Sequence, residues 1–120
     1  MVKAGWGRVI NISSAFGEFA PWPGVTIYVA SKFAINGFTR ALSRELGGAG
    51  VTVNAIQPGP TATALAPPPG TDGYNASIAL TSVGRYGKPE EIAAAAAFLC
   101  SPESAFINGE SLGVDGGWTA

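Results

Sequence analysis

Two short β-branched runs on either side of one long helical run constrain the fold of this chain most. Arg8-Val9-Ile10-Asn11-Ile12-Ser13 follows a Gly-Trp-Gly turn and reads as a short buried strand. Val51-Thr52-Val53-Asn54-Ala55-Ile56 reads as a second, stopped by Pro58-Gly59. Between them, after a loop over 14–25 punctuated by Gly17, Pro21, Pro23 and Gly24, apolar residues recur at Val29, Phe33, Ile35, Phe38, Ala41, Leu42 and Leu46. That spacing predicts a helix over about Thr26–Leu46, ended by Gly47-Gly48. Pro89, at a first helical position, with Glu90 and Glu91 behind it, opens another helix through Cys100. Ser111–Val114 is a final strand. The order strand, helix, strand, helix, strand gives two crossover units, and so a parallel sheet with helices on its faces. Residues 60–84 are mostly irregular, with a short helix near Ala76–Leu80; a loop this long is usually functional or disordered.

Composition narrows the function classes. Charged residues make up 12% of the 120 positions and hydrophobic ones 47%, against about 25% charged in ordinary domains. Such a chain buries much of itself or relies on a partner to cover it. A formal net charge of −1 gives no electrostatic case for nucleic acid or an anionic membrane. The chain has no histidine and one cysteine, Cys100. His-based triads and metal sites are therefore excluded, and an intramolecular disulfide is impossible. The lone cysteine fits a reducing, cytoplasmic setting, and its place at the end of an apolar run reads as that of a small buried hydrophobe. No leader-type segment is visible near Met1, and no apolar run reaches the ~18 residues of a membrane span.

Tyr28-Val29-Ala30-Ser31-Lys32 carries the chemistry. Positions i and i+4 share a helix face, so the phenol and the ammonium can act together. A free tyrosine titrates near ~10, too high for proton transfer at neutrality. A fixed positive charge beside it favours the phenolate, which makes the pair a candidate general acid/base. Alone the motif is weak. It gains weight from its position among Asn11-Ile12-Ser13-Ser14 at the end of the first strand, Pro58-Gly59-Pro60-Thr61-Ala62-Thr63 after the second, and Asp115-Gly116-Gly117 after the last. Ligands in open α/β sheets bind beyond the carboxyl ends of the strands.

In this combination and order the chain resembles the C-terminal half of a short-chain dehydrogenase/reductase, with a pattern similar to the bacterial 3-oxoacyl-acyl-carrier-protein reductases. The resemblance runs from Gly7 to Ala120. It rests on Gly7-Arg8-Val9-Ile10-Asn11-Ile12-Ser13-Ser14, Tyr28-Val29-Ala30-Ser31-Lys32, Val53-Asn54-Ala55-Ile56-Gln57-Pro58-Gly59 and Val114-Asp115-Gly116-Gly117. It implies an α/β fold, the C-terminal portion of a doubly wound, Rossmann-like parallel sheet, with three strands and crossover helices. The implied activity is hydride transfer between NAD or NADP and a small-molecule carbonyl or alcohol substrate. In that scheme Tyr28 exchanges the proton at the substrate oxygen. Lys32 assists the phenol and holds the nicotinamide ribose, and Ser14 hydrogen-bonds the substrate oxygen. Pro58, Gly59 and Thr61 line the nicotinamide site, with Thr63 near the amide or pyrophosphate. Homo-oligomerisation through the Tyr28–Leu46 helix is also implied.

Each role has a plainer rival. Ser14 can be a turn cap, with Ser13 the reactive hydroxyl; Ser14 lies fourteen positions before Tyr28, one more than the family's usual spacing. Thr61 and Thr63 can be loop residues, and Pro58-Gly59 a turn signal. Asn11 reads as a strand-end hydrogen-bonding residue and Asp115-Gly116-Gly117 as a structural turn, while Trp22 and Tyr74 flank the site. The glycine-rich turn that cradles a pyrophosphate is not in this sequence, nor are the residue that selects NAD or NADP and the family's catalytic asparagine. Residues 1–120 are therefore expected to be a partial catalytic domain without its nucleotide-binding half, with Met1 internal to a longer reading frame. The alternative is a non-catalytic remnant or assembly module. Asp72 is the only charge between residue 60 and Arg85, which favours an uncharged or apolar substrate portion.

Overall fold

The computed structural model describes residues 1–20 and 22–120. Three parallel strands form one sheet in the order β1 (Gly7–Ile12), β2 (Val51–Pro58), β3 (Ser111–Val114). Helix α1 (Thr26–Leu46) connects β1 to β2; α2 (Asp72–Ala79) and α3 (Pro89–Cys100) lie between β2 and β3. This is the α/β, three-stranded arrangement expected from the sequence. Register runs from Gly7 opposite Val51 to Ile12 opposite Ile56, and from Ala55 opposite Ser111 to Pro58 opposite Val114.

The helices cover opposite faces of the sheet. Asn11 donates to Thr39 Oγ1 of α1 at 2.9 Å, whereas Arg8, of opposite parity, donates to Ser101 O just past α3 at 3.4 Å. Strand side chains alternate between faces, so the central strand is covered on both. Accordingly Val51 through Gln57 are all buried, and Val53, Ala55 and Ile56 form the core with Leu99 of α3. Burial on both faces is the usual condition of a parallel strand. Of its polar members Thr52, Asn54 and Gln57, Asn54 bonds through both ends of its amide: the nitrogen donates to Ile107 O and the carbonyl accepts from Glu110 N–H, both at 2.9 Å. That pair fixes the approach to β3.

Helix α1 turns only part of its apolar period inward: Val29, Ile35, Leu42 and Leu46 are half-buried. Its buried residues are Asn36, Thr39 and Ser43, whereas Phe33 and Phe38 are exposed. Small polar side chains win the sheet-facing positions because each has a partner there. Thr39 Oγ1 donates to Ile35 O, Ser43 Oγ to Arg40 O, and Asn36 reaches Gly17 O. Cys100 is a correction. It is exposed, because the preceding residue, Leu99, takes the inward position and one helical residue is a rotation of about 100°. The first strand starts and stops one residue earlier than Arg8–Ser13. The short helix expected near Ala76–Leu80 begins earlier, at Asp72, because Thr71 Oγ1 accepts from Tyr74 N–H and caps it.

Among the described residues no helix is long and apolar enough to cross a membrane, and no group of three or more His, Cys, Asp or Glu could hold a metal.

Candidate active site

The carboxyl ends of β1 and β2 and the first turns of α1 meet in one pocket of about 520 Å³. Ser14, Tyr28, Lys32, Pro58, Gly59, Thr61 and Thr63 all line it. These are the seven residues singled out from the sequence, drawn from three separate segments. The parallel β1-α1-β2 crossover brings them together, because both strands end at the same edge where α1 begins.

Tyr28 and Lys32 stand one turn apart on α1. The Lys32 ammonium lies 5.4 Å from the centre of the Tyr28 ring and donates to Ile12 O at the end of β1, at 3.1 Å. A positive charge is thereby held beside the phenol by the sheet itself. Tyr28 remains 46% exposed, so its ring is open to an incoming molecule. Among the described lining residues Lys32 is the only charged one.

The two serines have different tasks. Ser13 Oγ donates to Lys32 O at 3.1 Å, tying the strand end to α1. Ser14 Oγ accepts from Phe16 N–H at 3.2 Å and caps the short 3-10 turn Ala15–Gly17. Both border the pocket. The hydroxyl proton of Ser13 is committed to the helix, whereas Ser14 accepts in its turn contact and keeps its proton to donate. The turn-cap rival for Ser14 is thus present in the structure and compatible with a place at the pocket wall.

Beneath these groups an amide network locks the floor. Asn36 Nδ2 donates to Gly17 O at 3.0 Å. In the orientation that satisfies its neighbours, the Gln57 amide accepts from Asn36 Nδ2 at 2.9 Å and donates to Ser111 O at 3.1 Å. The loop after β1, helix α1, β2 and β3 are therefore joined in one buried chain of hydrogen bonds.

The segment after β2 is held by its backbone. Gly59 N–H donates to Val114 O, Gly87 N–H to Pro60 O, and Ala62 N–H to Gly87 O. A side chain at position 59 would put its Cβ 2.7 Å from the Cα of Asp115, so only glycine lets these strand ends approach. Asp115 in turn accepts from Gly117 N–H, Thr119 N–H and Thr119 Oγ1, the structural turn expected there. Thr61 Oγ1 donates to Gly59 O and Thr63 Oγ1 accepts from Leu65 N–H. Both hydroxyls thus serve the local turn, and any ligand held at this wall meets mainly backbone.

Sequence reasoning missed Phe16, Tyr86 and Trp118, which also line the pocket. Trp118 arrives because Gly116 and Gly117 both adopt positive φ, at 66° and 76°, and turn the chain back. Two glycines before an aromatic residue were the available signal. Trp22 lines the pocket, whereas Tyr74 packs edge-on against Tyr86, ring centres 4.6 Å apart, behind it. On the far side of Tyr86, Arg85 makes two hydrogen bonds to Glu91, at 2.8 and 2.7 Å. These bonds and that from Lys88 N–H pull the Glu91 carboxyl down to about 2.

Comparison with known proteins places this geometry among relatives. Residues 1–119 match the family model described as Enoyl-(Acyl carrier protein) reductase. The chain is 42% identical over 117 residues to the 3-oxoacyl-acyl-carrier-protein reductase of Vibrio cholerae, covering 98% of this chain and 48% of that protein. Its fold is similar to that of a short-chain dehydrogenase/reductase from Serratia marcescens, with TM-score 0.90 and 41% identity over 94% of this chain and 46% of that one. A blue fluorescent protein from a metagenomic library, solved in complex with NADPH, gives TM-score 0.89 and 43% identity over 94% of this chain and 45% of that one. The chain thus spans about half the length of the relatives it matches.

Proposed function

The chain belongs to the short-chain dehydrogenase/reductase family, and on that premise we propose that it forms the catalytic side of an oxidoreductase acting on a carbonyl or alcohol with NAD or NADP. The observation that carries this reading is the convergence of Ser14, Tyr28 and Lys32 with the Pro58–Thr63 segment on one pocket.

A nicotinamide held at this pocket would supply or accept the hydride at the substrate carbon. The chain's own residues do the rest. Ser14 donates a hydrogen bond to the carbonyl oxygen and fixes its direction. Tyr28 gives its phenolic proton to that oxygen as the hydride bonds to carbon, so one hydride and one proton convert ketone to alcohol. The phenolate is then reprotonated from solvent; the reverse direction runs the same transfers backwards. Lys32, held by Ile12 O, stabilises the anion left on Tyr28 and faces the ribose. Pro58, Gly59, Thr61 and Thr63, which line the same pocket, would hold the nicotinamide side of the cofactor.

In this reading residues 1–120 hold the substrate and nicotinamide side of a Rossmann-like domain, and a further segment or partner supplies the adenine and pyrophosphate side. A cytoplasmic setting and self-association through α1 belong to the same reading. The exposed Phe33 and Phe38 on α1 also favour the rival, an assembly module without turnover.

Fluorescence titration of the purified chain with NADPH and NADH is the first test of the two readings, since Trp22 and Trp118 border the pocket and report on it. Saturable quenching supports the oxidoreductase reading and identifies the cofactor. A folded chain that shows none leaves the cofactor site to be completed by the further segment, and turnover of the joined protein then decides between the two readings. Turnover is assayed with this chain joined to the remainder of a matched relative.

A further inference from the structure

Resting on that reading, we infer that the substrate is an uncharged ketone or secondary alcohol bearing an aryl group on the reacting carbon, with its ring held by an aromatic wall formed by Phe16, Trp22 and Trp118. These three rings touch one another pairwise. Phe16 and Trp22 have centres 5.5 Å apart at 49°, Phe16 and Trp118 5.2 Å apart at 43°, and Trp22 and Trp118 5.9 Å apart at 65°. Phe16 also meets the Tyr28 ring edge-on, at 5.6 Å and 81°. The wall is therefore continuous with the phenol, and a group attached to a carbon whose oxygen lies at Tyr28 runs onto it.

Trp118 is 4% exposed and backs the wall, fixed there by the Asp115 turn; Trp22, 36% exposed, lines the pocket. Leu65, Ala66 and Pro67 supply an apolar rim. Among the described lining residues there is no carboxylate, and Lys32, the one cation, lies beside Tyr28. A charged substituent on the far part of the substrate would find no counter-charge. Aromatic faces and edges favour a flat ring over an alkyl group of equal size through their quadrupoles, and pockets of this kind fix orientation with few polar groups and affinity with apolar ones.

The test is ligand-observed NMR on the purified 120-residue chain with three eight-carbon ketones: acetophenone, cyclohexyl methyl ketone and 2-octanone. The aryl ketone should bind about threefold to tenfold more tightly than the other two. Trp22→Leu, which keeps apolar bulk without the ring, should abolish that preference, and Tyr28→Phe should preserve it. Equal binding of the three ketones, no binding by the folded chain, or a preference that survives Trp22→Leu would each overturn the proposal. The turnover assay separates this from the broader reading. Hydride transfer without aryl preference removes the aryl site and leaves the oxidoreductase. Aryl preference in binding without hydride transfer does the reverse.

Discussion

Lys32 has two positions to defend. Its ammonium bonds to Ile12 O at the end of β1 and stands beside the Tyr28 ring. Lys32→Ala removes the charge from the phenol and from the ribose side together, so both rate and cofactor affinity should fall, each by at least about tenfold. Steady-state kinetics with a parallel cofactor titration checks this; unchanged values for both would refute the double role. Gly59 makes a different residue-scale claim. Gly59→Ala sets a Cβ 2.7 Å from the Cα of Asp115, where backbone rather than a flexible side-chain end would have to move. The cost should be about 1–3 kcal/mol of stability, readable by urea denaturation. Wild-type stability in that variant would mean that the strand ends are not so closely packed.

The first turn of α3 gives the pH prediction. Glu91 is pulled down to about 2, first by its hydrogen bonds from Arg85 and then by that from Lys88 N–H. A carboxyl depressed in the folded state contributes stability that is full above its ordinary value of ~4.3 and is lost as pH falls through the folded one. The Tm difference between the wild type and Glu91→Gln should therefore be constant above pH 5 and shrink between about pH 4.5 and 2. A difference independent of pH would show the pair to be inert. Elements were legible where local signals agreed. Helix α1 keeps its read bounds because the apolar period ends at Gly47-Gly48, and α3 keeps its own because Pro89 and Glu90-Glu91 open it. The inward face of α1 was legible only in part, at Val29, Ile35, Leu42 and Leu46. Phe33 and Phe38 carry the hydrophobic period, yet hydrogen-bonded Asn36, Thr39 and Ser43 face the sheet. Asn36 and Thr39 have partners far away in the chain, Gly17 and Asn11, which periodicity cannot register, while Ser43 bonds within the helix to Arg40 O. The seven residues singled out from the sequence share one pocket because motif order and strand ends point to one edge of a parallel sheet. Phe16 and Trp118 were missed because 102 residues separate them in the sequence, and only the fold sets their rings 5.2 Å apart.

At the scale of the molecule, β1 forms one edge of the sheet and α1 shows Ile27, Phe33 and Phe38 to solvent. A strand edge presents unpaired backbone groups, and apolar patches of this kind mark contacts. The purified chain should therefore sediment as more than a monomer at micromolar concentration, and Phe38→Glu should shift it toward the monomer; a monomeric wild type would contradict self-association through α1. The pocket is the part of the molecule on which the account depends. Its central claim is that Tyr28 moves the proton while hydride moves at the neighbouring carbon. The most direct measurement compares NADPH-dependent ketone reduction by wild type and Tyr28→Phe, each joined to the remainder of a matched relative, with cofactor affinity measured on the same samples. The account predicts that turnover falls by about 10²–10⁴-fold while cofactor affinity stays within about threefold, and a variant that retains near-normal turnover would contradict it.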